Sequence, residues 1–267
     1  MPDTEATIKA VQDFIEKDRD FVINLTRDIV RIPSVNPKFE TGEGLNREGD
    51  VQAVLEKLVK DEGFATEQFD ALPGRPNLIG EKPGSEEKSL ILCGHIDVVP
   101  TGALKDWTVD PFGGEIRDGK LYGRGAIDMK GGVAACVAAM RALNRTGMKL
   151  DGRLAFHSVV DEEAGGGGAI DNVRRGKLAK AILVAEPSWG DVHPAEGGLE
   201  WARVTIRGRN GHSAFRFNEI YPQQHTPDRI VPAVNAIDIA ARFIQAVHLF
   251  EQNRVRARAH PLLPAGM

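Results

Sequence analysis

The sequence predicts an α/β fold in which helices flank a mixed, mostly parallel sheet. Three apolar runs support this prediction: residues 89–100, 153–163 and 179–188. Consecutive apolar residues in each run are typical of a parallel strand that helices cover on both faces. Segments with helical spacing alternate with these runs, as the α/β class requires.

The other elements can be placed in order along the chain. Apolar residues at helical spacing predict one helix over 8–32, which ends at Pro33, and another over 47–62, which ends at Gly63. The remaining predicted elements are strands 65–69 and 76–81, a hairpin over 114–123, helix 131–147, strand 153–160, helix 169–178 and strand 181–185.

The composition changes near residue 194. Residues 199–211 alternate apolar and polar side chains, which predicts a half-exposed antiparallel strand, and a helix is predicted over 232–252. We therefore expect two domains, residues 1–194 and 195–267. The second is expected to be incomplete, because one strand and one helix bury little surface.

Composition narrows the class of function. With 267 residues, of which 42% are hydrophobic, the chain can form a sizeable core. Its net charge of −4 argues against nucleic acid or an anionic membrane as the partner. We find neither a signal peptide nor a membrane span in the sequence, which favours a cytoplasmic protein.

Acidic and histidine side chains follow each of the three apolar runs. His95 and Asp97 end the first run, Glu162 and Glu163 the second, and Glu186 the third. Ligands of open α/β sheets bind just beyond the carboxyl ends of the strands, so we expect these side chains to meet at one sheet edge.

Each group also has a simpler structural interpretation. His95 and Asp97 project from one face of a strand, which suits an oriented metal ligand and equally a core histidine paired with an aspartate. Glu162 and Glu163 should point to opposite sides, one towards metal and one as general base, unless they form a solvated acidic turn. Asp128 precedes a predicted helix, and its spacing alone favours an N-cap.

Clustering favours the metal interpretation. Five carboxylates at one sheet edge would repel one another and raise several pKa values, and two divalent cations would offset most of that repulsion. These carboxylates belong to Asp97, Asp128, Glu162, Glu163 and Glu186. Nitrogen and carboxylate donors together suit zinc, with cobalt or manganese as alternatives.

Four motifs make the chain resemble a known family. GHIDVVPTG, WTVDPFGGEIRDGKLYGRGAIDMKGG, VVDEEAGGGG and AEPS follow one another in this order. Over roughly residues 20–245 this pattern resembles the acetylornithine deacetylase, succinyl-diaminopimelate desuccinylase, aminoacylase and carboxypeptidase G family of two-metal amidohydrolases. The resemblance implies a zinc-exopeptidase-like catalytic domain, followed by the beginning of an inserted α+β lid domain that forms a homodimer.

The resemblance also implies a set of metal ligands. His95 and Glu186 would bind one ion, Asp128 would bridge both ions, and Glu163 would bind the second. This assignment replaces the N-cap interpretation of Asp128. It also implies a cis peptide bond between Asp128 and Met129.

Catalytic roles follow from the same resemblance. Glu162 would be the general base for a metal-bound hydroxide that attacks the amide of an N-acyl amino acid or small peptide. Asp97 would orient His95, and His212 would stabilise the oxyanion in the partner subunit's site.

One part of the family pattern has no counterpart here. The second half of the family's catalytic domain supplies a further histidine ligand, and the other histidines of this chain lie in different motif contexts. We therefore expect the N-terminal portion of such an enzyme, impaired on its own. The alternative is a truncated relative that binds metal and ligand without catalysis.

Overall fold

The computed structural model describes residues 4–198, 202–211, 233–258 and 261–262. The chain forms two compact units, Met1–Gly190 and Asp191–Met267. The helices of the first unit are α1 Thr4–Lys17, α2 Arg19–Val30, α3 Glu48–Asp61, α4 Gly131–Arg145 and α5 Gly167–Arg174. Its strands are β1 Ala65–Leu72, β2 Arg75–Lys82, β3 Ser85–His95, β4 Glu115–Arg117, β5 Lys120–Tyr122, β6 Gly152–Val159 and β7 Ala181–Val184. Among the described helices, none combines the length and the apolar character needed to cross a membrane.

A five-stranded mixed sheet forms the centre of the first unit, in the order β1-β2-β6-β3-β7. Strands β6 and β7 both run parallel to β3, whereas β1 and β2 are antiparallel to their neighbours. Strands β4 and β5 form the predicted hairpin as a separate two-stranded sheet. The predicted mixed sheet flanked by helices is thus confirmed, and the three parallel strands β3, β6 and β7 end at the same edge.

The core lies between one face of this sheet and helices α2, α3 and α4. Leu92 and Phe156 are neighbours across β3 and β6, and they pack in one apolar cluster with Ile29, Leu55 and Val137 from the three helices. Helix α5 approaches the opposite face, where Asn172 contacts His157 of β6. Both faces of the central strands are therefore covered, which explains their continuous apolar runs.

The helix predicted over 8–32 is in fact two helices, α1 and α2. Asp18 lies between them in a non-helical conformation, with φ −103° and ψ 17°. Its carboxylate accepts a hydrogen bond of 2.7 Å from Arg141 of α4. The residue that separates the two helices thus binds a partner 123 residues away in sequence. Helical periodicity within residues 8–32 does not reveal such a contact.

Strand β7 forms as predicted, but it is exposed where the apolar run predicted a buried strand. Ile182, Leu183 and Val184 keep between 51% and 54% of their surface exposed. The reason is position, because within the described residues β7 is an edge strand that pairs only with β3. An exposed apolar edge of this kind favours association with other chains.

In the second unit, the strand predicted over 199–211 is wrong for the described residues 202–211. They form a single antiparallel bridge, between Arg209 and Val234. A strand requires a neighbour for its ladder, and the described part of this unit provides no longer pairing. Helix α6, Ala236–Ala257, does form, and Asn235 caps it by accepting a hydrogen bond from the Ile237 amide.

Candidate metal centre

The parallel strands bring the predicted site residues to one edge of the sheet. His95 is the last residue of β3, Glu162 and Glu163 lie in the turn after β6, and Glu186 follows β7 by two residues. Asp128 reaches the same place from an irregular turn just before α4. The expected convergence of these side chains is therefore present.

His95 lies at the centre of the cluster and is 1% exposed. Its Nδ1 is 2.9 Å from the main-chain oxygen of Asp97. A carbonyl oxygen only accepts, so Nδ1 carries the proton and Nε2 faces the carboxylates. Oxygens of Asp128, Glu186 and Glu162 lie 3.1, 3.6 and 3.7 Å from Nε2.

Two groups of side chains have the spacing of a metal site. One consists of His95, Glu162 and Glu186, the other of His95, Asp128 and Glu163, and within each group the ligand atoms lie within 4.8 Å of one another. One imidazole nitrogen with two carboxylate oxygens is a donor set that suits zinc and related divalent ions. The residues present therefore fit a divalent metal ion.

The peptide bond between Asp128 and Met129 is cis, as the resemblance implied. The alternative role of Asp128 as an N-cap is wrong, because no side chain caps α4. Two residues after Asp128, Lys130 is fully buried and donates to the main-chain oxygens of Ile29 and Ile32, at 2.8 and 2.9 Å. The burial of this lysine was not predictable from the sequence, since a basic residue near a helix start usually faces solvent.

Asp97 contacts both halves of the acidic pair. Its carboxylate accepts hydrogen bonds from the main-chain amides of Glu162 and Glu163, at 3.1 and 3.3 Å. The nearest approach of that carboxylate to His95 Nδ1 is longer, at 3.7 Å. Asp97 therefore contacts His95 mainly through its main-chain oxygen. Its side chain instead binds the turn that contains Glu162 and Glu163, which we call the acidic turn.

The local backbone removes the basis of the prediction that Glu162 and Glu163 point to opposite sides. Both residues lie in a turn rather than at the end of a strand. Strand alternation does not apply there, and each carboxylate reaches a ligand group that contains His95.

Electrostatics within the cluster shift two pKa values strongly. Burial works against the charged form of His95, but its hydrogen bond with Asp128 and the nearby carboxylates outweigh burial and raise the pKa of His95 to about 9. Burial raises the pKa of Glu186 to about 7, with attraction to His95 opposing the rise and repulsion from Asp128 adding to it. Without a cation, protons thus take up part of the excess negative charge.

These shifts predict that metal affinity rises with pH. Between about pH 7 and pH 9, an entering ion must displace the proton of His95, so affinity should increase about tenfold per pH unit. Below about pH 7 the proton of Glu186 must leave as well, and the slope should steepen to about a hundredfold per unit. Zinc titrations by calorimetry at pH 6 and pH 8, in buffers of different ionisation enthalpy, count the released protons. Equal proton release at both pH values would contradict this account.

His212 lies outside the described residues, so its proposed role stays a prediction. His157 of β6 is buried, with Nδ1 3.2 Å from the Asn172 amide nitrogen. Nothing in the sequence indicated a buried polar cluster next to the turn that holds Glu162 and Glu163. Its members are Asn36, Glu48, Arg75 and Asp161. The left-handed conformation of Asp161, with φ 68°, is not visible in the sequence.

Comparison with known proteins identifies the family of the chain. Residues 91–257 match the profile of peptidase family M20/M25/M40. The chain is 38% identical over 244 residues to a succinyl-diaminopimelate desuccinylase of Rhodospirillum centenum, a match that covers 85% of this chain and 55% of the relative. It is 30% identical over 219 residues to the N-formyl-4-amino-5-aminomethyl-2-methylpyrimidine deformylase of Bacillus subtilis, covering 80% and 50%. The chain thus spans about half the length of these curated relatives.

Solved structures resemble the fold. Human carnosine dipeptidase 1 superposes with a TM-score of 0.58 at 25% identity, covering 66% of this chain and 40% of that one. Aminopeptidase PepT from Bacillus cereus superposes with a TM-score of 0.55 at 22% identity, covering 85% and 56%. Profile, sequence identity and fold agree, and the chain belongs to peptidase family M20/M25/M40.

Proposed function

We propose that the protein is a metal-dependent hydrolase that cleaves the amide bond of an N-acyl amino acid or small peptide. The observation that supports it most is the position of His95, whose Nε2 faces three carboxylates at the carboxyl edge of the sheet. Family membership adds the reaction class, since its relatives are named as a desuccinylase, a deformylase and peptidases.

In this proposal the cluster holds two divalent ions, most simply zinc. His95 and Glu186 would hold one ion, Glu163 the other, and Asp128 would contact both. When bound, such ions polarise a carbonyl and make water more acidic. All four side chains belong to the two groups with metal-ligand spacing. Glu162 belongs to one of these groups as well, so spacing alone does not separate its role from that of a ligand.

Glu162 is proposed as the general base. Its side chain is 48% exposed, so it can meet both a water molecule and a substrate. It would take a proton from the attacking water and return it to the leaving amine. His212 would donate a hydrogen bond to the oxygen that becomes negative during the attack.

The architecture proposed from the family has residues 1–194 in the catalytic domain and 195–267 in a lid that forms a homodimer. We also propose that the protein works in the cytoplasm. Its two cysteines, Cys93 and Cys136, are both free, as is usual in a reducing compartment.

A substrate panel with metal depletion tests the proposal. The complete protein should hydrolyse at least one of N-succinyl, N-acetyl and N-formyl amino acids or dipeptides. Dialysis against a chelator should abolish the activity, and added Zn²⁺, Co²⁺ or Mn²⁺ should restore it. Activity that survives complete metal removal would contradict the proposed chemistry, and the ion that restores the highest rate identifies the preferred metal.

A further inference from the structure

Beneath the acidic turn lies a fully buried amide, the side chain of Asn36. Residue 36 follows a short parallel bridge between Val35 and Val98, and its main-chain amide donates to the Val98 oxygen at 2.9 Å. Its Oδ1 accepts from the Lys38 amide at 3.0 Å. Backbone contacts thus fix where the Asn36 side chain begins and how it is turned.

The two protons of the Asn36 amide meet two buried carboxylates. Nδ2 donates to Asp97 at 2.7 Å and to Asp161 at 3.2 Å, and both aspartates are fully buried. Two carboxylates so close would repel each other without a donor between them. Asn36 is neutral and supplies both hydrogen bonds, so it holds the pair together without adding charge.

From Asp97 the contacts continue to the site. The carboxylate that Asn36 holds accepts from the amides of Glu162 and Glu163. Rotation of the Asp97 carboxylate would break both of these bonds. The direction of the Asn36 amide therefore fixes the backbone from which both glutamate side chains project.

The other carboxylate fixes the start of the same turn. Asp161 has a left-handed backbone, φ 68°, and its side chain accepts from Arg75 at 2.8 Å and from Lys38. Asn36 thus links Asp161, which directly precedes the acidic turn, to Asp97, which accepts the main-chain amides of that turn. This arrangement holds the turn at two points through one side chain.

We propose that Asn36 is a positioning residue for the metal centre, acting through Asp97 and Asp161 on the ligand Glu163 and the base Glu162. The inference rests on the proposed function, because it requires a divalent ion at the cluster. Partners that orient metal ligands from outside typically change metal affinity by about 10–100-fold when they are removed.

The test is the affinity of the complete protein for Co²⁺, with the visible absorption spectrum of the bound ion as a second readout. Asn36→Ala should weaken Co²⁺ binding by about 10–100-fold and alter the spectrum. The matched control is Asn172→Ala, which also removes a buried amide of the same unit but contacts His157 and Asn77 instead of the site. This control should bind Co²⁺ as the wild type does, with the same spectrum.

The outcomes separate the inference from the proposed function. If the wild-type protein binds no divalent ion, the proposed function fails. If the wild type binds Co²⁺ and Asn36→Ala binds it equally well with an unchanged spectrum, the positioning role of Asn36 is wrong. If Asn36→Ala does not fold, Asn36→Ser, which keeps one short donor, should show an intermediate loss of affinity, and wild-type affinity in that variant would also overturn the inference.

Discussion

Replacing Glu162 by glutamine is expected to lower kcat by about 10²–10⁴-fold while the metal content stays unchanged. Glutamine keeps the shape of the side chain and cannot take up the proton of the attacking water. The measurement is steady-state hydrolysis in the complete protein, with zinc counted by elemental analysis on the same samples.

Glu163→Gln is the matched control for this prediction, because it changes the neighbouring residue in the same way. It should lower the zinc content, since Glu163 is the proposed ligand. Glu162 also belongs to one of the two ligand groups around His95, so it could in principle be the ligand in place of Glu163. Loss of zinc in Glu162→Gln with retention in Glu163→Gln would exchange the two roles.

Arg75→Met is expected to cause the largest loss of stability, about 3–5 kcal/mol in the free energy of unfolding. The Arg75 guanidinium makes two hydrogen bonds of 2.7 Å to Glu48 and one of 2.8 Å to Asp161. The side chains of Glu48 and Asp161 are 3% and 0% exposed. Removing Arg75 leaves the buried Glu48 carboxylate without the guanidinium that pairs with it and leaves Asp161 with Lys38 as its cationic partner. Chemical denaturation measures the cost.

The pH dependence of this variant provides an internal check. Burial already raises the pKa of Glu48 although Arg75 opposes the rise, and without Arg75 the pKa should increase further. A raised carboxyl pKa destabilises the fold as pH rises, so the deficit should be larger at pH 7 than near pH 5. Arg47→Met is the control, since Arg47 pairs with Asp50 at the surface and should cost about 0.5 kcal/mol or less. Equal losses for the two variants would contradict the prediction.

Local patterns in the sequence were sufficient to predict most elements of the first unit. The apolar runs that become β3 and β6 are continuous because helices cover both faces of those strands. The order of the strands was not predictable, since β6 inserts between β2 and β3 through pairings distant in sequence. The break at Asp18 was not predictable because its partner, Arg141, lies far away in sequence. The exposure of β7 was not predictable because it depends on the position of this strand at the edge of the described sheet.

The site divides in the same way. The proposed ligands His95 and Glu186 were predictable because histidine and acidic residues follow the apolar runs that end at one sheet edge. The supporting residues were not visible, because Asn36, Glu48 and Arg75 look like ordinary surface residues in the sequence. Only the folded chain shows that they are buried together below the acidic turn.

The most direct test of the metal centre is the zinc content of the wild-type protein and of His95→Ala after equilibrium dialysis. His95 is the only residue common to both ligand groups found among the described residues. We predict at least one tightly bound zinc ion per wild-type chain and almost none in His95→Ala. A wild-type protein that binds no zinc, or a variant that binds as much as the wild type, would contradict the assignment of this cluster as a metal centre.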